Sequence, residues 1–168
     1  MSLNAVIDAT AGAVAQDPSQ AEVVFRASGR TTGPVGSVVT TRQHTLTIDE
    51  PPTLGGEDTA ANPVEVALAA LISCQVVTYR FWAAKLGITL DDVEIDAEGD
   101  LDVRGFFGLD HGVRPGFTGL RLIVRLAGPE SAERYQELQA AVDAHCPVLD
   151  LFAAETPVLK TLDVATRV

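Results

Sequence analysis

Basic side chains are in short supply: 12 lysines and arginines stand against 23 aspartates and glutamates, a formal charge of −11 over 168 residues. A surface that acidic repels phosphate backbones unless a local basic stripe offsets it. No such stripe is visible, which argues against nucleic acid and against an anionic membrane as partners. The first twenty residues hold no lysine or arginine and place Asp8 and Asp17 among their apolar positions. They therefore lack the basic flank and apolar centre of a secretory leader, and a cytoplasmic protein is expected. Long hydrophobic runs are missing too. The most apolar stretch, 64–77, contains Glu65, Ser73 and Gln75 and leads into Tyr79 and Arg80. That is short of the ~20 residues a membrane span needs, so a buried helix is expected there.

Cysteine is nearly absent, with only Cys74 and Cys146 in the chain. No Cys-x-x-Cys or His-x-x-x-His pair occurs, and His44, His111 and His145 stand far apart, so a metal centre is not expected. Gly55-Gly56 lacks the lysine of a phosphate-binding loop, and neither G-x-G-x-x-G nor G-x-S-x-G is present. Nucleotide cofactors and serine hydrolase chemistry are disfavoured, and no cofactor is implied. Repeats and low-complexity segments are also lacking.

What remains is globular composition, 46% hydrophobic with 21% charged. A chain of this length can bury roughly 70% of its unfolded surface without staples. Residues 1–20 read as an N-terminal extension with a short helix: Leu3, Val6, Ile7 and Val14 fall near helical spacing between Ser2 and Pro18. Residues 21–168 read as one domain. A strand over 21–30, with Val23, Val24 and Phe25, turns at 31–36 and returns over 37–50, where His44, Leu46 and Ile48 alternate with polar residues. Asn62, Pro63 and Glu65 start a helix that should reach Leu86 and stop at Gly87. Strands follow over 93–106 and 117–126, a second helix over 127–144 and a last strand over 157–168. The class is α+β, with antiparallel strands covering two long helices.

Both cysteines are expected on inward helical faces. Cys74 shares its face with Ala67, Ala70, Leu71, Val77 and Thr78, and Cys146 follows Tyr135, Leu138 and Val142. Each is open to a bland reading as an inert small hydrophobe. Two inward cysteines can also meet, and a meeting pair is what a dithiol and disulfide cycle needs. On that second reading Cys74, three turns inside its helix, is the better nucleophile. Cys146, read as closing a helix whose C-terminal charge disfavours thiolate, is the better resolving partner.

Several segments carry a resemblance. Arg42-Gln43-His44-Thr45-Leu46 leads to Asp49-Glu50-Pro51, followed by Leu54-Gly55-Gly56. Asn62-Pro63-Val64-Glu65 precedes Cys74 by nine residues. Gly105-Phe106-Phe107-Gly108-Leu109 leads to Arg114-Pro115-Gly116-Phe117, and Cys146-Pro147-Val148 closes the set. Over most of the chain after about residue 21 the sequence resembles the OsmC/Ohr-like family, thiol-dependent peroxidases acting on organic hydroperoxides. The resemblance implies that Cys74 attacks peroxide and Cys146 resolves the sulfenic acid as a disulfide, which a dithiol reductant reopens. It also implies an intertwined homodimer, two central helices wrapped by long antiparallel sheets, with two sites at the interface. The rival on the same fold is a non-catalytic small-molecule binding protein whose pocket the thiols merely line.

One position departs from the family pattern. Where the hydroperoxide reductases carry a glutamate directly after the proline, in an arginine network beside the cysteine, this chain has Val64, and the acid is Glu65. Nine residues at about 100° each put Glu65 across the helix from Cys74, so a capping bond to Asn62 is favoured over a place in the network. The sequence thus looks like the less characterised branch of the family. With no helix N-terminus at either cysteine, activation requires a cation. Arg30, at the turn, and Arg42, sharing a strand face with His44, are the candidates. Arg42 is expected to point inward, toward Cys74 or Glu57, with surface ion pairs as the alternative for both arginines. His44 is expected on the apolar side of its strand.

Overall fold

The computed structural model describes residues 2–165. Helix α1 (Leu3–Gln16) starts at Ser2, whose Oγ accepts from the Ala5 amide at 3.2 Å, and buries none of its residues. A single 3₁₀ turn (Pro18–Ala21) follows. A three-stranded antiparallel sheet comes next, β1 (Ser28–Thr32), β2 (Gly36–Thr41) and β3 (His44–Ile48), in that order. Two strand expectations are corrected here. Pairing of β1 begins at Ser28 opposite Thr40, so the expected strand over 21–30 has no ladder partner before Ser28. Val23, Val24 and Phe25 accordingly lie exposed and irregular. The return segment over 37–50 is two strands, because Thr41 pairs with His44 and Arg42-Gln43 form the tight loop between them.

Asp49 organises the loop that leads into the long helix. Its Oδ2 accepts from the amides of Glu57 and Thr59, both at 3.1 Å, and from the Thr59 hydroxyl at 2.9 Å. The Asp49 amide donates to the Ala61 carbonyl at 3.3 Å. Gly56 sits so close to this turn that a Cβ there would lie 1.8 Å from the Glu50 carbonyl oxygen.

Helix α2 (Pro63–Leu86) has the start and stop its sequence predicts. Asn62 Oδ1 accepts from the Glu65 amide and Glu65 Oε2 from the Asn62 amide, each at 2.9 Å, and Gly87 ends the helix at φ 64°. With 24 residues, α2 is longer than the apolar stretch read from sequence, and by length and composition it is long enough to cross a membrane. Here it is the central helix, with Leu71, Gln75, Thr78, Tyr79 and Ala83 buried.

The second sheet pairs β4 (Asp92–Leu101) with β5 (Phe117–Ala127), antiparallel from Asp92 opposite Ala127. The expected strand over 93–106 stops early. The register slips at Asp100 and Leu101, and Asp102 then caps a short helix α3 (Val103–Phe106) through the Arg104 amide at 3.0 Å. On the outer face Arg121 pairs with Glu98 and Asp100, and Arg125 with Asp96 and Glu94. Helix α4 (Ala132–Asp143) begins later than the predicted 127, because β5 remains paired to Ala127 and Ser131 supplies the cap. A fifth helix, α5 (Pro147–Ala153), has no counterpart in the sequence reading. Tyr79, Ala83, Ile88, Ile95, Leu138 and Val142 form the core between α2, α4 and β4. The predicted final strand over 157–168 is absent among its described residues, which are irregular and exposed to residue 165; 166–168 lie outside the described residues.

Candidate thiol site

Cys74 sits midway along α2, partly exposed, and Cys146 is 2% exposed at the start of α5. The two thiols are not covalently joined, and Cys146 lies near enough to Cys74 to disfavour its thiolate. Between them in sequence lie β4, α3, β5 and α4, and the two residues are 72 positions apart.

The placement of Cys146 corrects the sequence reading. α4 ends at Asp143, and Cys146 is the residue from which α5 begins, with Pro147 in its first turn. Proline lacks an amide hydrogen and has a helical φ, so it opens a helix as readily as it ends one. The amide of Val148, one residue further into α5, is thereby directed at the Cys74 sulfur. A helix N-terminus therefore does serve Cys74, from another element than its own.

Burial pushes the Cys74 thiol above its ordinary value, and the adjacent Cys146 adds to this, while the Val148 amide and the Thr78 hydroxyl pull it down. Thr78 also anchors the turn, its Oγ1 donating to the Cys74 carbonyl at 2.8 Å. Neither Thr78 nor Val148 is a site residue on sequence grounds. The available signals are the i+4 spacing of Thr78 from Cys74 and the helix-opening chemistry of Cys146-Pro147.

The other site residues lie elsewhere. Arg30 is within β1, opposite Val38, and not at the turn. Arg42 occupies the loop tip at φ 53°, a left-handed conformation, so it shares no strand face with His44. His44 begins β3 and is exposed, not on a covered apolar face. Among the described residues neither arginine forms an ion pair, with Glu57 or any other acid. The main packing partners of α2 are α4, β4, α5 and α1, and the three-stranded sheet is not one of them. Glu65 is engaged in the cap of α2.

The family model for OsmC-like proteins matches residues 56–161. Among solved structures, an OsmC-like protein from Mycoplasma pneumoniae superposes with a TM-score of 0.69 at 16% identity, over 79% of this chain and 89% of that one. An organic hydroperoxide resistance protein OsmC from Legionella pneumophila gives 0.61 at 23% identity, over 78% and 91%. An organic hydroperoxide resistance protein from Elizabethkingia anophelis gives 0.58 at 19% identity, over 77% and 88%. No curated protein sequence matches the chain.

Proposed function

The chain belongs to the OsmC-like family, and on that premise we propose that it is a thiol-dependent peroxidase reducing organic hydroperoxides. The observation that carries the reading is the nearness of a partly exposed Cys74 to a buried Cys146. Exposure suits the thiol that must meet substrate, and burial suits the one that must meet only its neighbour. The Cys74 thiolate attacks the terminal peroxide oxygen, the O–O bond breaks, and the alkoxide leaves and takes a proton. Cys74 is then a sulfenic acid. Cys146 displaces its oxygen as water, forming the disulfide, and an external dithiol returns both thiols.

The working form is a homodimer. Supporting this, Val23, Val24, Phe25, Val158, Leu159 and Leu162 are exposed, and the three-stranded sheet stands away from the main packing of α2. A second copy covers these surfaces and brings Arg30 or Arg42 of one chain toward Cys74 of the other.

The test is consumption of cumene hydroperoxide with dithiothreitol as reductant. The wild type consumes it and Cys74→Ser does not; equal rates overturn the enzymatic reading. One observation favours the rival, a binding pocket lined by inert thiols: burial keeps Cys74 toward its protonated form. That reading predicts no turnover in either protein.

A further inference from the structure

Although Cys146 is 2% exposed, it forms part of the wall of a cavity of about 430 Å³, with His145, Pro147, Asp143 and Asp150. Cys74 is not among the walls, so the cavity reaches the thiol pair from the Cys146 side alone. His145 is held there twice. Its ring stacks on Trp82 with centroids 4.1 Å apart, and its Nδ1 lies 2.7 Å from the Ala141 carbonyl oxygen. A carbonyl oxygen only accepts, so Nδ1 carries a proton, and in the neutral ring Nε2 is the nitrogen left with a lone pair. His145 and Cys146 thus border one open depression with room for a small ligand. Peroxide attack at Cys74 makes use of neither.

We propose that this cavity admits the reductant, a small dithiol that attacks Cys146 of the Cys74–Cys146 disulfide with His145 as proton acceptor. The inference rests on the two-cysteine reading above. A thiol attacks a disulfide sulfur on the side opposite the sulfur that leaves, so one entering through this cavity meets Cys146 and expels Cys74. The incoming S–H gives its proton to His145 Nε2, its sulfur bonds to Cys146, and the Cys146–Cys74 bond breaks. Cys74 departs as thiolate with the electron pair, which the Val148 amide favours. The second thiol of the reductant then attacks its own bound sulfur and loses its proton to water. A cyclic disulfide leaves, and Cys146 recovers a proton from His145. The dithiol loses two electrons and the protein gains two. Peroxide and reductant accordingly approach the pair from different sides.

The experiment makes the disulfide with diamide, so that it does not depend on peroxidase activity. Brief exposure to the monothiol 2-mercaptoethanol, quenching with iodoacetamide and peptide mass mapping then locate the attacked sulfur. The expected products are a mercaptoethanol adduct on Cys146 and an alkylated Cys74. The reverse pattern overturns this inference while leaving the peroxidase reading intact. Failure of diamide to form the disulfide removes the two-cysteine reading and this inference with it. In parallel, His145→Gln should slow dithiothreitol reduction of the same disulfide about tenfold, below the usual range of general-base contributions because bulk water also accepts the proton. An unchanged rate removes His145 from the step.

Discussion

The amide of Val148 faces the sulfur of Cys74 from the first turn of a helix that Cys146 itself begins. Cys146 and the donor that favours the Cys74 thiolate are thus two residues apart on one short segment, and any shift of α5 moves both together.

This arrangement sets the sign of two substitutions. Cys146 pushes Cys74 up, so Cys146→Ala should lower the Cys74 pKa and speed its alkylation by iodoacetamide at neutral pH. Thr78→Val removes a hydroxyl that pulls it down, and should slow alkylation. Arg30→Ala and Arg42→Ala belong in the same series: if either arginine activates Cys74 in the assembled protein, its loss slows alkylation. Identical pH profiles in wild type and both variants would leave the arginines without that role.

Acid should loosen the loop before α2. The amides and hydroxyl around Asp49, those of Thr59 foremost, hold its carboxyl down to about 2, below its ordinary 3.8. A depressed folded-state pKa contributes stability that is fully present above the unfolded value and is lost as pH falls through the folded one. The melting temperature should therefore drop between about pH 4 and pH 2. Asp49→Asn should melt lower than wild type at pH 7 and show a weaker decline across that window, as followed by circular dichroism.

Two glycines should respond oppositely to alanine. At Gly56 a Cβ would collide with the Glu50 backbone, 1.8 Å from its carbonyl oxygen, so Gly56→Ala should destabilise by more than about 1 kcal/mol. Gly12 lies inside α1, where a Cβ would have no neighbour within 4 Å, and Gly12→Ala should strengthen that helix by about 0.5–1 kcal/mol. Urea titration distinguishes the two signs. α1 buries none of its residues, so the Gly12 gain should register in its local helicity more than in the global midpoint.

The oligomeric state can be read by sedimentation at micromolar concentration. A stable species of twice 17.7 kDa is expected. Val158→Asp or Leu159→Asp should weaken it, because each puts a charge into an apolar segment that has no cover within the chain. A folded monomer that resists association removes the dimer.

Some of this architecture is legible in local chemistry. Asn62, Pro63, Glu65 and Gly87 specify both ends of α2 because caps satisfy backbone groups within a few residues, whatever packs around them. Ser2 does the same for α1. The segments over 22–27 and 157–165 have strand-like apolar content, but a strand needs a neighbour, and a periodicity rule cannot say whether the same chain supplies one. The alternation of β2 and β3 likewise hides the break at Arg42-Gln43, since two residues in a tight hairpin loop leave the pattern nearly in phase. At the candidate site the cysteines can be read from sequence, with their meeting one of two open readings. Pro147, however, has the same local signature whether it ends one helix or opens the next, and that ambiguity conceals α5 and its amide at Cys74.

The 72 positions between the cysteines have a thermodynamic side. A bond between Cys74 and Cys146 turns β4, β5 and α4 into a closed ring, and a loop of that length removes on the order of 4 kcal/mol of chain entropy from the unfolded state. Oxidation of the pair and resistance to unfolding then rise and fall together. Oxidised protein should be the form that best survives heat and proteolysis, and a supply of reductant should leave the chain the more perishable.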